Sequence, residues 1–246
     1  MLYPDFMNFS LEITVKTDLS VLPKVKDIYI TMLPGDDFRK VSNVAKELVQ
    51  SGFNPVPHFP ARSIKNLAEL KDFVIRCRDG GAKQVLVIGG SAQPIGDFHS
   101  SLQLLETGLF EGFKIGIAGH PEGSPDISDT DLEKAMIDKK SYADYIVTQW
   151  SLNAGLISDF ISKQTLPVHV GIIGPLKITS LLKFANIVGA KNSINFLKSN
   201  ATKAVDLLKP RDPNDIIEKL KGTTNNFHIY TFGGLKETNK WLMENN

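Results

Sequence analysis

A chain of 246 residues, 42% hydrophobic and 22% charged, has the apolar content for a sizeable core, which excludes wholesale disorder. Lys and Arg number 28 against 27 for Asp and Glu, and with no basic tract the net charge of +1 excludes electrostatic capture of a nucleic-acid backbone. No apolar run approaches the ~20 residues of a membrane span, MLYPDFMNFS lacks a secretory signal, and a single cysteine cannot form an internal disulfide. The expectation is a cytoplasmic protein with small-molecule partners.

Taken in order, eight short β-branched runs alternate with helical segments. Ser10–Val15 (SLEITV) places Glu12 opposite to Leu11 and Ile13 by alternation, which in a barrel points it inward. Asp27–Leu33 follows, carrying Thr31 near its end, then a helix over residues 37–51 with Gly52 as its stop. Asn54–Pro60 (NPVPHFP) holds three prolines, each costing a sheet an amide hydrogen, so this strand is expected to be short, with His58 at its carboxyl end.

A helix through Leu67, Leu70, Phe73, Val74 and Cys77 leads past Gly80 and Gly81 into VLVIGGSAQP, a buried strand closing on Gly89, Gly90 and Ser91. Cys77 reads as helix packing. A helix near Ser100–Leu109 precedes the strand of Ile115 and Ile117 and the loop Gly119–Gly123. A helix near Asp129–Lys140 leads to Tyr145–Trp150 (YIVTQW), which ends in Thr148 and Gln149. Val168–Gly174 and Phe227–Phe232 complete the set, with extra residues and their own helices between them up to about Lys221. A last helix with Leu235, Trp241 and Leu242 would cover the first strand. Eight strands and eight returns over residues 1–246 predict one α/β domain, a single (β/α)8 TIM barrel.

In such a barrel the reacting groups sit at the carboxyl ends of strands, which nominates Glu12, Thr31, His58, Ser91, His120, Glu122, Gln149 and Phe232. Glu12 is the sharpest. Flanked by apolar residues, it would have its pKa raised by burial, as suits a general acid; the alternative is an exposed Glu on a short first strand. His58 and His120 also read as satisfied strand-end residues, the glycines as tight turns, and Phe184 as core. No zinc signature, serine elbow, P-loop or Rossmann fingerprint is present, so no metal is expected.

SLEITV, PVPHFPAR, VLVIGGS, IGIAGHPEGSPD, ADYIVTQW, VGIIGPLKITSLLKFANIVG and FHIYTFG together resemble the methylenetetrahydrofolate reductase family along nearly the whole chain. The loop Gly119–Pro125, the Ile-Val-Thr-Gln strand end and the strand of His228, Ile229 and Tyr230 are the most specific motifs. The resemblance implies reduction of 5,10-methylenetetrahydrofolate to 5-methyltetrahydrofolate, with FAD relaying hydride from NADH or NADPH. It matches Glu12 to the general acid, Gln149 to the residue holding the pterin, and Phe184 to an aromatic packing on folate or nicotinamide. Thr31, His58 and His120 match positions on the flavin side, and Asp131 keeps an acidic helix start.

The chain departs from that pattern where the cofactor is held. Gly89-Gly90-Ser91 stands for the family's Arg-Gly-Asp, Ile137 and Asp138 for a basic pair, and Gly234 for an arginine. Losing several charges at one cofactor severely lowers affinity. The expectation is therefore weak or absent FAD binding and direct hydride transfer from NAD(P)H to folate, with Ser91 at most a neutral hydrogen-bonding contact. Two other readings stay open: a non-catalytic folate-binding or partner subunit, and a TIM-barrel enzyme of other chemistry, such as a lyase. A homo-oligomer is compatible with all three.

Overall fold

The structure, a computed structural model, describes residues 7–124, 127–177 and 210–245. Its centre is a closed barrel of eight parallel strands: β1 (Asn8–Thr14), β2 (Asp27–Thr31), β3 (Asn54–Pro60), β4 (Gln84–Ile88), β5 (Lys114–Gly119), β6 (Tyr145–Trp150), β7 (Val168–Ile173) and, closing against β1, β10 (Asn226–Tyr230). A two-residue antiparallel ladder, β8 (Leu176–Lys177) with β9 (Pro210–Arg211), lies between β7 and β10 in the chain. Helices α1 (Phe38–Gln50), α2 (Leu67–Asp79), α3 (Ser101–Leu105), α4 (Asp129–Lys139), α5 (Ala154–Ser162), α6 (Asn214–Lys219) and α7 (Leu235–Asn245) occupy the returns. This is the expected (β/α)8 TIM barrel.

The helices form where periodicity and caps coincide. In α1, Phe38, Val41, Ala45 and Leu48 make the buried stripe, and the Asp37 carboxylate accepts from the Arg39 amide at its start. The last helix does cover the first strand: the Trp241 ring meets Phe9 edge-on at 5.6 Å. The helix expected near Ser100–Leu109 is only five residues long.

β3 corrects the expectation of a shortened strand, since it runs through all seven residues, paired with β2 over 54–57 and with β4 over 58–60. Pro55 and Pro57 have the same parity, so they withdraw amides from one edge only. Val56 and His58, between and after them, present theirs to the other.

Alternation divides the strands into two cores. Leu11, Ile13, Ile28, Ile30, Phe59, Val85 and Val87 face the helices. Tyr29, Val56, Leu86, Tyr145 and Val147 form a separate cluster within the lumen. Gly116 belongs to this inner layer by necessity, because a Cβ there would lie 2.6 Å from the Tyr145 ring.

Candidate active site

The alternation that sends Leu11 and Ile13 outward sends Ser10 and Glu12 into the lumen. Glu12 Oε2 lies 3.4 Å from His228 Nε2 on β10 and 3.7 Å from His58 Nε2 on β3. On its far side, His228 Nδ1 lies 3.0 Å from Ser10 Oγ, which is also 3.4 Å from the Phe227 carbonyl. The Thr231 hydroxyl donates to the Glu12 carbonyl at 3.0 Å and fixes the backbone between β1 and β10. A carboxylate thus sits between two imidazoles, one of them held from behind by a hydroxyl.

Burial taken alone raises the Glu12 pKa. The His228 hydrogen bond, the facing His58 and His228 and the Thr31 hydroxyl outweigh it, and the value falls below the ordinary 4.5. The expected upward shift is corrected: apolar flanking residues raise a carboxyl pKa only where no hydrogen-bonding partner faces it. Burial also pushes His58 down to about 4 despite the neighbouring carboxylate. At neutral pH, therefore, Glu12 is an anion and His58 a neutral imidazole. An ionised Glu12 only accepts, so His228 Nε2 carries the hydrogen between them.

Two phenols frame the group. Tyr29 stands edge-on to His228 at 4.4 Å and donates to the Tyr145 hydroxyl at 3.3 Å. Tyr230 packs edge-on against His228 at 4.8 Å and spans β7 to donate to the Thr148 carbonyl on β6 at 2.9 Å. Burial raises both phenol pKa values, so both remain neutral. Phe232 stacks on Tyr230 and takes a left-handed backbone (φ 43°), followed by Gly233 at φ 85°, a tight turn at the mouth.

The candidates named from sequence fall into groups. Glu12, Thr31 and His58 come together, with the Thr31 hydroxyl buried toward Glu12 but making no well-aligned hydrogen bond. Gln149, next to last in β6, lies beside the Tyr230 contact, its buried Nε2 without a hydrogen-bond partner among the described residues. Here the β6–β7 register shifts and the backbones close up. A Cβ on Gly171 would lie 2.3 Å from the Thr148 carbonyl oxygen. Gly89, Gly90 and Ser91 follow β4. Gly90 (φ 85°) packs on Pro60, whereas a Cβ on Gly89 would meet open space.

His120 lines a separate cleft of about 560 Å³ between α4, α5 and the loop after β5, outside the Glu12 group. Burial and nearby Lys139 push its pKa down to about 4. Glu122, also in this cleft, accepts from the Ser151 hydroxyl at 2.6 Å. Asp131 is exposed and serves the start of α4: its amide donates to Ser128 Oγ, and its carboxylate accepts from the same hydroxyl at 2.7 Å. Phe184 lies outside the described residues.

Sequence reasoning did not nominate Ser10, Tyr29, His228 or Tyr230 for the site. The signal was parity. Ser10 shares a face with Glu12, and His228 and Tyr230 share the lumen face of β10. Among the described residues, no cluster of three or more His, Cys, Asp or Glu side chains is arranged to hold a metal ion.

No family model matches the chain. Solved structures do resemble it. A mutant tryptophan synthase alpha-subunit from Pyrococcus furiosus aligns over 99% of this chain and 97% of its own, with TM-score 0.56 and 13% identity. A 2,3-dimethylmalate lyase of the PEP mutase/isocitrate lyase superfamily aligns over 98% and 81%, with TM-score 0.58 and 8% identity. Oxaloacetate acetylhydrolase aligns over 97% and 80%, with TM-score 0.56 and 10% identity. At such identities the likeness shows the barrel fold alone. No helix among the described residues is long and apolar enough to cross a membrane.

Proposed function

We propose that this barrel is an enzyme working by proton transfer at Glu12, and that its substrate is a reduced folate: a reductase interconverting 5,10-methylenetetrahydrofolate and 5-methyltetrahydrofolate with NAD(P)H as hydride donor. The observation that carries it is the half-buried Glu12 carboxylate held between His228 and His58 in the same mouth as an amide, Gln149, whose buried nitrogen has no partner among the described residues. A pterin ring presents both donors and acceptors, which an amide can match.

The resting charge of Glu12 shapes the mechanism. In the reducing direction the ring nitrogen that leaves the methylene carbon must gain a proton. The nicotinamide then delivers hydride to the resulting iminium. Glu12 supplies that proton only after taking one up, and a bound pterin favours uptake by removing water from the carboxylate. In the oxidising direction hydride leaves the methyl group, the ring nitrogen closes on the iminium, and the resting carboxylate accepts the released proton.

The positions that the resemblance matches to the flavin's charged contacts do not fit its diphosphate. Gly89 and Gly90 carry no charge, Ile137 is apolar and 71% exposed, and the cleft sets Asp129, Glu133 and Asp159 against its lysines. Direct transfer requires both substrates at once and gives intersecting lines in initial-rate plots. Parallel lines, or activity that depends on added FAD, would refute the flavin-free form.

A second reading takes its support from the similar structures, whose names describe a lyase and a hydrolase of small organic acids. Glu12, already ionised, would be the base of a carbon–carbon cleavage. Incubation with methylenetetrahydrofolate and NADH, with products resolved by mass spectrometry, decides between them. Formation of 5-methyltetrahydrofolate, abolished in Glu12→Gln, is expected. No NAD(P)H oxidation and no folate binding, together with Glu12-dependent cleavage of 2-oxo or 2-hydroxy diacids, would replace the first reading by the second.

A further inference from the structure

Arg62 follows β3 directly, in a single 3-10 turn over Ala61–Ser63, and staples the loop after β4 to the loop after β3. Its amide donates to the Gly89 carbonyl at 3.0 Å, and its own carbonyl accepts from the Ile95 amide at 3.1 Å. Its guanidinium donates through Nε to the His99 carbonyl at 3.1 Å and through Nη1 to the Gly90 carbonyl at 3.4 Å. Asp97 reinforces the staple by donating its amide to the Lys65 carbonyl at 2.9 Å. Gly96 permits this approach, since a Cβ there would overlap the Lys65 backbone at 1.9 Å.

This leaves a cation at the mouth held by neutral groups. A guanidinium has five N–H donors, of which neutral carbonyls here engage two. No carboxylate among the described residues pairs with Arg62; Arg78 shares this, but its guanidinium is held by the Leu109 and Glu111 carbonyls and covers the Phe113 ring, whereas Arg39 and Arg76 are both paired with Asp72. The side chain is only partly exposed and fixed in place, so little further ordering is needed when a ligand arrives. Beside it the backbone is bare: space is open in front of Gly89, and Ser91 is exposed.

We propose that Arg62 is the anion-binding residue of this rim and holds a phosphate of a dinucleotide substrate, the nicotinamide dinucleotide of the reading above. The inference rests on that reading for the identity of the dinucleotide, but not for the anion site itself. A planar guanidinium with free donors and no counter-charge matches phosphate oxygens as a fork, and a lysine could do so only as a point charge. The rim lies at the ends of β3 and β4, with only β5 between β4 and the strand of Gln149, β6, so dinucleotide and pterin would meet over neighbouring strands of one mouth.

The test is thermal stabilisation and calorimetric titration of the whole chain with inorganic pyrophosphate, NADH and FAD in turn, using wild type, Arg62→Lys and Arg62→Gln. Pyrophosphate and NADH should raise the unfolding temperature of wild type, and Arg62→Gln should weaken NADH at least tenfold and abolish the pyrophosphate effect. Arg62→Lys should fall between. Binding of reduced folate should stay within twofold of wild type in both variants. A merely structural staple would lower the unfolding temperature without ligand and leave these affinities unchanged, which overturns the proposal, as does a wild type indifferent to all three phosphates. Arg62-dependent binding of FAD would support the anion site while refuting the flavin-free reading. Arg62-dependent binding of phosphates without folate turnover would support the site and refute the reductase.

Discussion

Among the described residues the lumen holds two inward-facing carboxylates, one near each end, and their surroundings differ in kind. Asp27, at the amino end of β2, accepts from the side-chain amides of Asn54 at 3.0 Å and Gln84 at 3.4 Å. Glu12, near the carboxyl end of β1, faces the imidazoles of His228 and His58. Amides satisfy a carboxylate and cannot exchange protons with it, whereas imidazoles can do both. On the proposed function, two acids on neighbouring strands of one barrel are a plug and a reactive group. Their partners separate the roles, in keeping with the rule that barrel chemistry lies at the carboxyl ends of strands.

The largest expected effect separates the two directly. Glu12→Gln should keep the shape and the folate affinity of the mouth while lowering turnover by about a hundredfold or more, the usual scale for a proton-transfer group. An unchanged turnover number would remove Glu12 from the mechanism. Gln149→Ala should act on binding instead, raising the Michaelis constant for folate roughly tenfold. If both kinetic constants stayed at their wild-type values, the pterin contact would be misassigned.

The next effect concerns pH. His228 supplies the hydrogen bond that lowers the Glu12 pKa at neutral pH, where His58 carries no charge. His228→Leu should move the Glu12-dependent limb of the pH–rate profile upward, with Ser10→Ala following in the same direction but less far. A limb that stayed put in both variants would show that the Ser10–His228 arrangement does not govern Glu12.

Stability follows with a definite sign. His58 takes a proton near 6.5 when unfolded and only near 4 when folded, so the unfolded chain binds more protons between those values and stability is lost as pH falls through that window. The contribution is on the order of 3 kcal/mol for a shift of this size. His120 and His169, also held near 4 by burial, add in the same sense. Glu12, with its folded pKa depressed, loses its stabilising share below about 4.5 and reinforces the trend. The unfolding temperature should fall from pH 6.5 to 4 and fall less steeply in His58→Gln. A flat profile would contradict the neutral, buried His58.

The fold was legible because each strand carries its own period-two pattern, and Tyr145–Trp150 matches the expected bounds residue for residue. The inward direction of Glu12 was legible for the same reason. Its charge state was not, because the residues that set it, His228 and Ser10, reach it through the closure of β10 on β1, and pairing 218 positions apart leaves no mark on local pattern. The strength of β3 was likewise hidden, since proline counts do not reveal which edge loses its amides. Arg62 escaped notice because its importance lies in carbonyls of another loop.

The smallest expected effect closes the comparison at its structural end. Asp27→Asn replaces an acceptor of two amides with a group that also brings donors toward Asn54 and Gln84. Two charge-assisted hydrogen bonds become weaker neutral ones, a loss of about 1–2 kcal/mol. For a domain of this size that corresponds to roughly 2–8 °C in unfolding temperature. Turnover should stay within about twofold, because Asp27 is level with Ser10 at the amino end of the lumen and Glu12 lies one inward position further toward the carboxyl end, level with Tyr29. Restoring complementarity with Asn54→Asp in the Asp27→Asn background should recover much of the lost stability. If Asp27→Asn instead lowered turnover as far as Glu12→Gln does, the lumen would act as one connected proton network and its two carboxylates would no longer be separable.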